Sequence, residues 1–149
     1  MLMKSTLVNG VKVFLEKHPS SIVESAQKFA NALGAYSMSI QPPSVSVELA
    51  KTAFIGIFTT ITNEPANGNT LLPQALQQFC IVLGSGMLPA FTPTPPIWSG
   101  TEFNGLKKIG VDDNGSADKC ANEFADIVHD KFKKGQAINV VTGATIFWS

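Results

Sequence analysis

The chain has 149 residues and a formal net charge of zero, from eleven lysines and eleven acidic residues, with no arginine anywhere. Charged side chains make up 15% of it and hydrophobic ones 44%, so one core suffices at this length and the surface is polar but weakly charged. The lack of guanidinium groups argues against a nucleic-acid partner, and a neutral, lightly charged chain fits an assembly better than dispersal alone.

Taken in chain order, Leu7, Val11 and Phe14 recur at helical spacing and predict a helix over residues 5–17, stopped by Pro19. The competing reading is a hairpin turning at Asn9 and Gly10, a dipeptide suited to a type I′ turn. Ser21 with Glu24 forms a capping box and starts a second helix, over 21–35, whose stripe runs Ile22, Ala26, Phe29, Leu33, Tyr36. Gly34 sits near its end, and Gln41, Pro42 and Pro43 enforce an extended connection. Ser44 is placed to cap a third helix over 44–61, with Val47, Ala50, Phe54 and Ile61 on its buried face. Its uncharged run is too short for a bilayer, so no membrane partner is expected.

Residues 63–69, with Pro65 and Gly68, read as a loop. Thr70 then caps a fourth helix over 70–83, Pro73 falls in its first turn, and Leu72, Leu76, Phe79 and Leu83 carry the stripe. Residues 89–100 hold Pro89, Pro93, Pro95 and Pro96 and read as an extended, polyproline-like crossing between ends of the bundle. A last helix over 116–134 places Asp118 in its first turn and Lys131, Lys133 and Lys134 in its last, which complements the helix dipole. The tail 137–149 is rich in β-branched and aromatic residues and predicts a strand or hairpin around Thr142 and Gly143. The fold class is therefore mainly α, a single four- or five-helix bundle with a proline-rich crossing and an extended C-terminal arm.

Motifs of chemistry are weak by comparison. Asp112, Asn114, Ser116 and Glu123 match positions of a calcium loop, but Ala117 stands where that loop requires glycine, and a capped helix start explains the same residues. His129 lies near Asp126, Asp130 and Cys120 in sequence, yet helical geometry keeps Cys120 towards the buried side, so a solvent-facing histidine is the simpler reading. His18 reads as a helix-terminal or loop residue. Gly84, Ser85 and Gly86 resemble a fragment of a phosphate loop but lack its strand and lysine, and they read as a helix end. Cys80 and Cys120 read as buried thiols, with a disulfide between them left open, and their spacing suits no zinc site. No catalytic residue, cofactor or metal is expected. The first residues lack the apolar run of a secretory signal, so the whole chain is expected in the mature protein. Phe91, Trp98, Phe147 and Trp148 fall outside the helical stripes and, with Ile146, are the candidates for contact with another subunit.

The layout is similar to small helical virion proteins of tailed bacteriophages, in particular those of contractile tails. The likeness is carried by the short helices at 21–35, 44–61 and 70–83, the Phe-Thr-Pro-Thr-Pro-Pro link at 91–96, and the final helix followed by the extended tail 138–148. It implies a non-enzymatic structural subunit repeated about an axis in a baseplate, neck, tail or capsid surface, made in the host cytoplasm and housed in the virion. Its implied partners are other virion proteins and further copies of itself. On this reading the tail fastens neighbours, and deleting 138–149 leaves a soluble helical protein. The alternative is a soluble helical binding module, an inhibitor or chaperone with one protein partner.

Overall fold

The computed structural model describes residues 1–16, 20–60, 65–104 and 117–149. Among these lie five helices, α1 (Lys4–Glu16), α2 (Ile22–Ser37), α3 (Val47–Phe58), α4 (Pro65–Ser85) and α5 (Ala117–Phe132). Three short strands, β1 (Phe91–Thr94), β2 (Gln136–Asn139) and β3 (Thr145–Phe147), form one antiparallel sheet in the order β1-β2-β3. Helix α1 packs on α2 and α5, α2 packs on α3, and α3 packs on α4.

The residues of the first stripes explain this packing. In α1, Leu7 and Val11 are buried, so the chain through Asn9 and Gly10 is helix and the hairpin reading is excluded. Gly10 serves close approach instead: a Cβ there would lie 2.6 Å from the Cβ of Ala32 on α2 and 3.1 Å from its Cα. At the start of α2 the Glu24 amide donates to Ser21 Oγ at 3.1 Å, while the Ser20 amide donates to Glu24 Oε2 at 2.8 Å. The reciprocal cap is present, with Ser20 rather than Ser21 as the amide that the glutamate satisfies. Lys28 and these Ser20 donors hold the Glu24 carboxyl at about 2.

Two helix starts, those of α3 and α4, differ from the sequence expectation. Gly34 lies in the last turn of α2, which runs on to Ser37, and the aliphatic stem of Lys51 lies over it, 2.6 Å from where a Cβ would sit. Ser44 does not cap α3; its hydroxyl donates to the Leu83 carbonyl at 2.5 Å, tying the connection to the end of α4, and Ser46 precedes the helix instead. Residues 65–69 are helical rather than a loop, since Pro65 takes the first helical position, where a missing N–H costs nothing, and Pro73 then lies inside α4. Gly84, Ser85 and Gly86 end this helix, and a Cβ on Gly86 would meet the Ser46 amide nitrogen at 2.5 Å. Pro19, His18, Ile61, Asn63 and the sequence 105–116 that includes Asp112, Asn114 and Ser116 lie outside the described residues.

The core is built on two aromatic columns. Phe29 stacks on Phe54 at 5.4 Å and on Phe58 at 5.9 Å and meets the edge of Phe124 at 5.0 Å, locking α2, α3 and α5 together. Phe132 joins Tyr36 at 5.4 Å, Phe79 at 6.1 Å and Trp148 at 6.3 Å, and so binds α5 to α2, α4 and the C-terminal segment. Such ring pairs add to the burial of their area.

Candidate assembly surface

The tail forms the predicted hairpin, and a single side chain sets its turn. Asn139 Oδ1 accepts from the amides of Val141 and Thr142, each at 2.9 Å, and Gly143 adopts the positive φ of 70° that closes the loop. The hairpin pairs Ala137 with Ile146 and Ile138 with Thr145. A third strand comes from the proline-rich segment, which pairs Phe91 with Asn139 and Pro93 with Ala137. A third of the expected polyproline crossing is therefore sheet. Pro93 stands on the outer edge of β1, where its missing N–H interrupts no ladder bond.

Pairing alternates the side chains. Phe91, Pro93, Ala137 and Ile146 turn to the bundle, and Thr92, Thr94, Ile138, Thr145 and Phe147 turn away. Trp148 then returns inward and is fully buried. Its ring covers Gly135, where any Cβ would strike it, and its Nε1 donates to the Gln136 carbonyl at 3.2 Å. Beyond it, Ser149 and Gln41 exchange both backbone bonds, at 2.8 and 3.1 Å.

These facts correct two of the five candidate contact residues. Trp148 belongs to the chain's own core, because strand alternation turns it inward onto the space left by Gly84 and Gly135, which its indole fills. Trp98 is also buried, stacked on Phe103 at 5.7 Å, with its amide donating to Gln77 Oε1 at 2.8 Å. Phe91 is half-buried beneath the sheet, and Ile146 and Phe147 are exposed, at 39% and 58%. Ile146 turns to the bundle, so the outward apolar surface is that of Ile138 at 41%, Val140 at 60%, Val141 at 93% and Phe147, in a segment, 135–149, that carries no charged side chain. Deleting 138–149 would thus remove part of the core, not a detachable arm.

A polar clamp holds the proline-rich segment to α5. Lys131 donates to the Ile97 carbonyl at 2.9 Å, pairs with Glu102 Oε1 at 2.7 Å, and lies 5.6 Å from the Trp98 ring centre. Glu102 also accepts from the amides of Ser99 and Gly100, each at 2.8 Å. Burial pushes the Glu102 carboxyl up, but Lys131 and the Ser99 donors outweigh it and hold it at about 2. Lys131 is thus committed to a tertiary ion pair beyond its place in the last turn of the helix.

The residues singled out for chemistry are arranged differently from a catalytic set. His129 is half-buried rather than solvent-facing, with Nδ1 2.7 Å from Tyr36 Oη. Burial pushes the Tyr36 hydroxyl far above its ordinary value and pulls the His129 ring below its own, with Lys133 adding to the latter. Which of the two donates follows from the tautomer of the imidazole. Asp126 is held by Lys4 at 2.6 Å. Both cysteines are free; burial pushes the Cys80 thiol up to about 12, and burial together with Glu123 raises that of Cys120. The Trp98 Nε1–H, buried without a hydrogen bond of good geometry, acts on the Cys80 thiol in the opposite sense.

Among the described residues, no cluster of three or more His, Cys, Asp or Glu has the geometry to hold a metal, and no helix is long and apolar enough to cross a membrane. Comparison with family models, curated proteins and solved structures finds no match to this chain.

Between α1 and α2 lies an open groove of about 320 Å³, floored by Gly10, Ala32 and Ala35 and flanked by Val13, Lys28 and Asn31. Sequence reasoning missed it. The small residues at 10, 32 and 35 are its signal, since they let two helices approach while leaving a furrow beside the contact.

Proposed function

We propose that the chain is a non-enzymatic structural subunit of a bacteriophage virion, acting through protein–protein contacts in a symmetric assembly. The observation that carries this reading is the uncharged apolar surface of Ile138, Val140, Val141 and Phe147 on a sheet braced from beneath by Trp148. An apolar surface without charge, presented rigidly, loses less freedom on binding and suits a repeated contact. The virion setting, with other virion proteins as neighbours, is supported by the resemblance of layout. Purified tailed particles of the source phage should contain the chain at a fixed ratio to the tail or capsid subunits when analysed by quantitative mass spectrometry. Its presence only in the soluble fraction of the infected cell sinks the virion reading.

The α1–α2 groove favours a second reading, a helical module that seats one apolar segment of a protein partner. Light scattering after size exclusion separates the two. A module stays monomeric at high concentration and forms a one-to-one complex, whereas an assembly subunit grows with concentration.

A further inference from the structure

The two edges of the small sheet differ in one respect. On β1 the groups facing outward belong to Phe91 and Pro93; the Phe91 amide is taken by the Met87 carbonyl at 3.1 Å, and Pro93 has no N–H to offer. That edge offers no free N–H. On β3 the direction of each group follows from its ladder bonds. The Asn139 amide donates to the Ala144 carbonyl and the Trp148 amide to the Gly135 carbonyl, both at 2.9 Å, so residues 144, 146 and 148 face β2. Thr145 and Phe147 therefore turn their N–H and C=O groups outward, and both residues are exposed. The next outward residue, Ser149, is already paired with Gln41. The open edge is the backbone of Thr145 and Phe147 alone.

Natural edges are blunted by short strands, lysine, proline, bulges or covering loops; β3 is short, at three residues, but no lysine or proline stands between Gly135 and Ser149. We infer that β3 pairs antiparallel with β3 of a second copy of this chain, across a two-fold axis through Ile146. In that register Thr145 of each copy stands opposite Phe147 of the other, and each such pair exchanges both of its backbone bonds. Outward groups meet outward groups only in registers that pair odd-numbered residues with odd-numbered ones. Of these, the one centred on Ile146 uses both free residues of both copies and asks nothing of Ser149. A self-paired edge sets each side chain near its own copy, so charge there would repel; the uncharged segment removes that obstacle. The two sheets become one of twice the width, with Phe147 of each copy beside Thr145 of the other, an aromatic and β-branched pair of the kind that stabilises neighbouring strands. This inference rests on the assembly reading and names its partner as a second copy.

The test is sedimentation equilibrium of the full chain over a wide concentration range, with two double variants. Thr145→Lys with Phe147→Lys sets lysine opposite lysine and should raise the dimer dissociation constant by about tenfold or more. Thr145→Lys with Phe147→Glu sets the introduced lysine of one copy opposite the introduced glutamate of the other and should restore the dimer. Both positions are exposed, so circular dichroism of both variants should match the parent. Restoration by the second variant identifies the register, because pairing of 145 with 145 would leave lysine against lysine in both. An oligomer that the double lysine variant leaves intact overturns this edge pairing while the assembly reading stands. A parent chain that is monomeric at every concentration overturns the pairing and the self-assembling form of that reading together.

Discussion

Lys131 shows how much one side chain is asked to do. Its ammonium neutralises Glu102, satisfies the Ile97 carbonyl and faces the Trp98 ring, while the ion pair keeps only 17% and 10% of its side-chain surface exposed. Lys131→Met keeps the stem and removes the charge, leaving a shielded carboxylate without its cation, and should cost about 2 kcal/mol at neutral pH. The pH dependence has a definite sign. Glu102 is held at about 2 against an ordinary value of 4.5, so its contribution is complete above about 4.5 and is lost as pH falls through about 2. The variant should show a smaller acid loss over that window, read as a shallower fall in urea midpoint. An equal fall in both proteins would mean that Glu102 is not the group responsible. The lysine is visible in the sequence as the end of a helix; its partner, some thirty residues earlier in a loop, is not.

At the scale of elements, the close approach of α1 and α2 decides between two opposed effects. Alanine is the better helix former by about 1 kcal/mol, so Gly10→Ala should stabilise an isolated α1. In the folded chain its Cβ would stand 2.6 Å from that of Ala32, a short, stiff side chain that cannot turn aside. Overpacking of this kind costs about 1–3 kcal/mol, so Gly10→Ala should lower the thermal midpoint. A raised midpoint would show that the helices separate freely. In the sequence the same glycine leaves a turn open as the competing reading, because its effect lies on a neighbouring helix. Helix positions are legible from their stripes, as with Phe29, Leu33 and Tyr36, all buried. Helix ends are less so, since Ser44 and Gly34 take their roles from Leu83 and Lys51, on α4 and α3.

At the scale of the whole molecule, the C-terminal segment is part of the core. Removing residues 138–149 takes away Trp148 and breaks the sheet, and truncation of a buried aromatic alone costs about 3–5 kcal/mol. The shortened chain should lose most of its unfolding cooperativity in urea, monitored by circular dichroism; an unchanged transition would show that the segment packs on nothing. Cys80 offers an independent gauge. It is fully buried and its thiol is pushed up to about 12, so its labelling by a thiol reagent should follow global unfolding, whereas half-exposed Cys120 should react from the native state. Rapid labelling of Cys80 in native buffer would place a local opening beneath Trp98.

By itself the sequence determined the helical stripes, the cap at Ser21 and Glu24, and the hairpin at Thr142 and Gly143, because each depends on residues a few positions apart. Only the tertiary structure decided that Phe91–Thr94 becomes a third strand, that Trp98 and Trp148 are core while Phe147 is surface, and that one sheet edge offers no free N–H while the other does. Those outcomes turn on partners far along the chain, such as Met87, Gly135 and Gln41. An aromatic outside a helical stripe is written identically whether it is to be buried or exposed, and burial is settled by what space the other elements leave.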